Sequence, residues 1–261
     1  MSKTTEKVYQ AALKALRQGE PAALVTVIEA RGSTPRGTSA KMLIRSDGGA
    51  VGSVGGGDVE ACAIEEAQRA MREGRSRQVR CRVRDEGGEM RLFIDVLSPR
   101  PTLLILGGGH IGQAVAELGE FLGYRVAVVD ARQGLVTAER FPWAVVRLTG
   151  DLVRHVAELA LDERTYVVIV TPHENPDEEI LAALADRTVA YVGLIGSARR
   201  TAHTFERVEQ LGVPRDLLER IHTPIGLDIG AQSPPEIAVS IMAEIIAVRR
   251  AREKTGIDPE A

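Results

Sequence analysis

Cysteine is nearly missing from this chain of 261 residues. Only Cys62 and Cys81 occur, at no metal-ligand spacing, so no metal site is assigned, and so few thiols are what a reducing cytoplasm is expected to hold. Aromatic residues make up 3% of the chain, too few for a base-stacking surface. The formal net charge is -3, which leaves no basic footprint for nucleic acid. No apolar run approaches the length of a bilayer span, and the opening MSKTTEKVYQ lacks the apolar core of a signal peptide. These absences lead to the expectation of a cytoplasmic protein with no nucleic-acid partner and no membrane partner. Neither repeats nor low-complexity segments interrupt the chain.

The most organised stretch runs from Thr102 to Asp130. Thr102 to Leu106 is an unbroken apolar run, as in a strand buried on both faces. Gly107, Gly109 and Gly112 follow at G-x-G-x-x-G spacing, with Gly108, His110 and Ile111 between them. Ile111, Val115 and Leu118 then mark a helical face that Gly123 stops, and Arg125 to Val129 form a second buried strand ending in Asp130. Strand, glycine turn, helix, strand and terminal acid make up a dinucleotide-binding βαβ unit. The first glycine permits the tight turn, the second lets backbone N–H groups reach a phosphate, and the third lets the helix pack on the strand. The helix N-terminus offers free donors to an anion. Asp130 is placed to accept from a ribose diol and to repel a 2′-phosphate, an NAD-like preference. A glycine turn can also be purely structural. The completeness of the unit is what points to a nucleotide-type or phosphate-bearing ligand.

The remaining pattern predicts an α/β protein: a C-terminal Rossmann-like, doubly wound parallel sheet plus a smaller N-terminal α+β domain. Residues 1–98 form the first, residues 101–254 the second with its C-terminal helix, and residues 255–261 a loose tail. Ser98-Pro99-Arg100-Pro101 separates them, because proline removes donors and stiffens a linker. In the first domain Thr4 or Thr5 is expected to cap a helix reaching about Arg17. Strands are expected at 22–28, 41–45, 50–54, 79–84 and 90–97, the second and third joined by a hairpin at Asp47-Gly48-Gly49. Gly55, Gly56 and Gly57 then lead into a helix capped by Asp58. That turn reads either as a junction needing positive φ or as a second anion pocket served by Arg31 or Arg36.

In the second domain the strand at 166–170 ends in Thr171-Pro172-His173-Glu174-Asn175-Pro176-Asp177, at the carboxyl end of the sheet where open α/β sheets hold ligands. His173 is either a solvated loop histidine or a ligand group. Gly196 and Ser197, followed by Arg199 and Arg200, form another strand-to-helix turn, read either as a capped helix or as an anion contact. Residues 221–231, IHTPIGLDIGA, are irregular and rich in turn residues. Ser233-Pro234-Pro235-Glu236 is a capping box, and Ile237, Ile241, Ile245 and Val248 give the last helix a core face.

Side by side, GSTPRGTSAKMLI, GSVGGGDVE, LLILGGGHIG with VVD, VTPHENPDEEIL, YVGLIGS and HTPIGLDIGAQSPPEIAVSIMAEIIA resemble the signatures of the XdhC/CoxI family, the xanthine dehydrogenase accessory proteins, over most of the chain. The resemblance implies a binding partner of the molybdenum cofactor (molybdopterin or its dinucleotide form). Such a protein protects the cofactor, supports its sulfuration with a sulfurtransferase, and delivers it to a molybdenum hydroxylase such as xanthine dehydrogenase. It implies a maturation chaperone without catalytic residues, and a homodimer. For such a cargo, a phosphate or pyrophosphate tail is expected on the Gly107 turn and the pterin between the domains near Gly55 to Gly57. The chain departs from the family pattern in three places. Asp58 and Glu86-Gly87-Gly88 stand where many relatives carry Cys and Cys-Gly-Gly, and Pro172 replaces one histidine of a pair, leaving His173. Delivery survives these changes better than a direct role in sulfur transfer. The competing readings are an NAD-dependent oxidoreductase with a substrate pocket near His173, and a nucleotide-sensing module.

Overall fold

Alternating burial along residues 22–31 and 89–97 sets the first of two sheets. The computed structural model describes residues 2–31, 38–82, 88–172 and 177–254 and divides into two units, Met1–Pro99 and Arg100–Ala261. His173, Arg36, Glu86 and Gly87 lie outside the described residues.

The first unit begins with α1 (Lys3–Gln18), capped not by Thr4 or Thr5 but by Ser2, whose side chain accepts from the Thr5 N–H. Gly19 ends it in the left-handed region, as a C′ glycine does. Strands β1 (Ala22–Arg31), β2 (Lys41–Arg45), β3 (Ala50–Gly52), β4 (Arg77–Arg82) and β5 (Glu89–Leu97) form an antiparallel sheet in the order β3-β2-β1-β5-β4, with α2 (Gly57–Glu73) between β3 and β4 in sequence. Neighbouring residues of a strand face opposite sides. Ala23, Val25 and Val27 therefore pack with Val59, Ala63 and Ala67 of α2, whereas Ala22 and Leu43 pack with Val8, Ala12 and Ala15 of α1. The two helices cover opposite faces. Cys62 of α2 and Cys81 of β4 are joined as a disulfide, so the scarcity of cysteine no longer argues for a reducing compartment.

In the second unit β6 (Thr102–Leu106), β7 (Arg125–Asp130), β8 (Val146–Thr149), β9 (Thr165–Ile169) and β10 (Tyr191–Leu194) are all parallel, in the order β10-β9-β6-β7-β8. Helices α3 (His110–Phe121) and α8 (Pro234–Lys254) lie on one face, where Val115, Ala238, Ile241 and Ile245 share a core with Leu103 and Ile105. Helices α4 (Leu152–Glu158), α5 (Asp177–Ala185), α6 (Ala198–Gln210) and α7 (Arg215–Leu218) lie on the other, over Leu104, Leu106 and Val167. This is the doubly wound Rossmann-like fold, and the strand order reverses at β6. The crevice beyond the carboxyl ends of β6 and β9 is the switch point where such sheets hold ligands. Among the described residues, no helix is long and apolar enough to cross a membrane.

Candidate ligand-binding site

The turn after β6 assigns each glycine its own task. Gly107 has φ +118°, and a Cβ there would stand 2.5 Å from the Val170 carbonyl oxygen beyond β9. Its N–H donates to the Val129 carbonyl at 2.8 Å. Gly112 is packed harder, since a Cβ would fall 1.9 Å from the Gly107 oxygen. Gly109 is the opposite case: a Cβ there would meet nothing within 4 Å. It serves as the N-cap of α3 with no side-chain cap, and the first turn of α3 holds no acidic residue. The N–H groups of His110, Ile111 and Gly112 have no intrahelical acceptor by position, so a helix terminus with open space at Gly109 can receive an anion.

Asp130 does not face that space as the sequence pattern implied. Its side chain is 1% exposed. Its oxygens accept from the Gly108 N–H at 2.7 Å, the Arg132 N–H at 2.9 Å, and the Arg132 guanidinium at 2.9 and 2.8 Å. Burial alone would raise its carboxyl, but the hydrogen bonds from Arg132 and Gly108 outweigh it and hold the group below the ordinary carboxylate range. A ribose diol would have to displace Arg132 to reach this acid.

Near the end of β9 the Thr171 hydroxyl donates to Asp177 at 2.5 Å, and Arg200 donates to the other Asp177 oxygen at 2.6 Å. Burial pushes the Asp177 carboxyl above its ordinary range, against the pull of Thr171 and Arg200. Ser197 caps α6, accepting from the Arg200 N–H at 3.3 Å. Asp177, Ser197, Arg199, Arg200 and His203 line an open cavity of about 370 Å³. The capped-helix reading of Gly196 and Ser197 thus has its hydrogen bond, while the Arg200 guanidinium is already paired with Asp177.

A family model described as the XdhC Rossmann domain matches residues 103–245, and one described as the XdhC and CoxI family matches residues 15–82. The first alone covers more than half of the chain. The chain belongs to the XdhC family. It is 36% identical over 251 residues to an uncharacterized protein, YqeB, of Escherichia coli (strain K12), covering 93% of this chain and 46% of that one. It is 33% identical over 159 residues to a protein of Bacillus subtilis (strain 168) described as a probable xanthine dehydrogenase subunit, covering 61% of this chain and 46% of that one. The chain therefore spans about half the length of these two relatives. The molybdenum cofactor insertion chaperone PaoD of E. coli (strain K12) is 28% identical over 289 residues, with 97% and 91% of the two chains covered. In fold, the chain is similar to a crystal structure described as a xanthine dehydrogenase from Bacillus halodurans, with TM-score 0.54, 22% identity, and 96% and 97% of the chains covered.

The part matched by the XdhC and CoxI model includes the second glycine turn. Gly55, Gly56 and Gly57 have φ of 145°, 79° and 54°, values that favour glycine. Here the chain supplies its own anion. Glu60 accepts from the Gly56 N–H at 2.9 Å and from the Ser53 hydroxyl at 2.5 Å, while Arg31 is paired with Glu29 at 2.6 Å.

The part matched by the XdhC Rossmann model holds a polar cluster that sequence reasoning missed. Glu244 of α8 accepts from the buried Tyr191 hydroxyl, from the Gly226 N–H at 2.9 Å, and pairs with His222 at 3.2 Å. The irregular 221–231 stretch is thereby fastened beside β10, where His222 makes a parallel bridge to Gly193. Its unusual composition was the only signal available. Glu244, in the middle of a core-patterned helix, gave none.

Proposed function

We propose that this chain is an accessory protein that binds the molybdenum cofactor as cargo and delivers it to a molybdenum hydroxylase of the xanthine dehydrogenase type. The cargo is a pterin dithiolene that carries molybdenum and a phosphate. The observation that carries the reading is the uncapped α3 terminus at Gly109, with open space where a side chain would stand and no acid in the first turn. Three backbone donors and the positive end of a helix dipole suit a phosphate. The likeness to PaoD, whose name is that of an insertion chaperone, supports the same reading. Gly196 and Ser197 belong to it as a second wall of the crevice, and His173 belongs to it by its place in the sequence after β9. Gly55 to Gly57 belong to it only if the cargo displaces Glu60.

The protein acts here as a carrier rather than a catalyst, and works as a homodimer. With Asp58 and Glu86 in place of thiols, exchange of an oxo ligand for sulfido falls to a partner sulfurtransferase. The alternative, an NAD-dependent oxidoreductase or nucleotide sensor, needs Asp130 for the ribose diol, and the bonds from Arg132 and Gly108 to that carboxylate count against it.

The test is reconstitution. The cofactor-loaded chain is mixed with a purified apo molybdenum hydroxylase, and hydroxylase activity is followed. Activation by the wild type and none by Gly109→Asp is the expected result. Equal activation by both variants, or by neither, refutes the proposal.

A further inference from the structure

We infer that the cradle at Gly107 to Gly112 accepts a terminal phosphomonoester and turns away a dinucleotide, an inference that rests on the carrier reading above and names the form of its cargo. In a βαβ dinucleotide site the pyrophosphate lies at the helix N-terminus. The nucleoside continues over the end of the second strand, where the acid takes its diol. Here that continuation is built over by the chain itself.

Three observations describe the closure. Both Asp130 oxygens are spent on Gly108 and Arg132, and the Arg132 guanidinium lies across the end of β7 with 51% of its side chain exposed. The 3-10 turn at Gln133–Leu135 brings the Leu135 carbonyl oxygen to 3.0 Å from where a Gly108 Cβ would be. Arg140 then latches this segment to α3, donating to the Leu135 carbonyl at 3.3 Å and to the Gln113 side-chain oxygen at 2.9 and 3.3 Å. The strand side of the cradle is therefore closed, while the side at Gly109 is open.

Charge favours the same ligand. A phosphomonoester is close to a dianion at neutral pH, whereas each phosphate of a dinucleotide carries one charge. The buried carboxylate beside the cradle is neutralised by Arg132, and its oxygens, bonded to Gly108 and Arg132, are not free to accept from a diol. In terms of cargo, the fitting form is the simple cofactor ending in phosphate, not the form extended by a nucleotide.

The experiment is a fluorescence titration of the full chain with four probes: the oxidised pterin monophosphate released from the cofactor, its dephosphorylated product, its cytidylylated counterpart, and NAD+. The wild type should bind the pterin monophosphate at least on the order of tenfold more tightly than the other three, about the worth of one charge-assisted hydrogen bond. The Arg132→Ala/Arg140→Ala variant, checked for folding by thermal unfolding, should narrow the gap by gaining affinity for the cytidylylated probe and NAD+. The inference alone is overturned if the cytidylylated probe binds the wild type as well as the monophosphate does. It is also overturned if the gap is unmoved in the variant. Binding of NAD+ with no pterin, or of no probe at all, overturns the carrier reading as well.

Discussion

Gly109 and Gly112 stand three residues apart and should answer substitution in opposite ways. Gly109 has φ −70° and free space around it, so Gly109→Ala should unfold with the wild type in urea. Gly112→Ala forces a methyl to 1.9 Å from the Gly107 oxygen and should cost about 2–3 kcal/mol through a backbone shift. Asp130 gives a pH signature. Its folded pKa lies below the ordinary value of 3.8. Its stabilisation is therefore fully present above that value and lost as pH falls through the folded one. Asp130→Asn should be less stable than wild type at pH 7 by about 1–2 kcal/mol, allowing for the half-exposed Arg132. The gap should close in acid, and a gap independent of pH would contradict the assigned role. The glycine pattern was legible because backbone sterics act within a few residues. The inward turn of Asp130 was not, since it depends on Arg132, a loop arginine without periodic signature.

At the scale of elements, runs with a strong pattern declared themselves: 41–45 and 102–106 are the strands the sequence predicts. Residues 221–231 did not, because their order comes from partners far along the chain. His222 donates its N–H to Val192 at 2.9 Å, and Glu244 reaches back to Gly226. Glu244→Ala would leave the buried Tyr191 hydroxyl and the Gly226 N–H without their acceptor. It should cost about 3 kcal/mol and speed hydrogen exchange at 222–226, with Glu244→Gln milder. In the first unit, the Cys62–Cys81 bond closes a loop of 19 residues, worth about 3 kcal/mol in the chain-entropy account. Adding a reductant should lower the unfolding temperature of that unit and leave Cys62→Ser/Cys81→Ser unaffected. An unchanged wild-type transition would show that the bond contributes nothing to stability.

For the molecule as a whole, the fold class was legible because apolar, unalternating strands between helices leave few topologies. The ligand was not legible to the same degree. A Rossmann-like sheet serves many functions, and the choice among them lies in how β7 ends and what covers it. In this account the grip is on the phosphate end of the cargo, at the α3 terminus where Gly109 leaves open space and no side chain caps the helix. The most direct measurement is the pterin content of the chain purified from cells that make the molybdenum cofactor, determined by oxidation to the fluorescent pterin. The account predicts pterin bound to the wild type in near-stoichiometric amount and lost from an equally stable Gly109→Asp. Pterin retained by Gly109→Asp, or absent from the wild type, would contradict it.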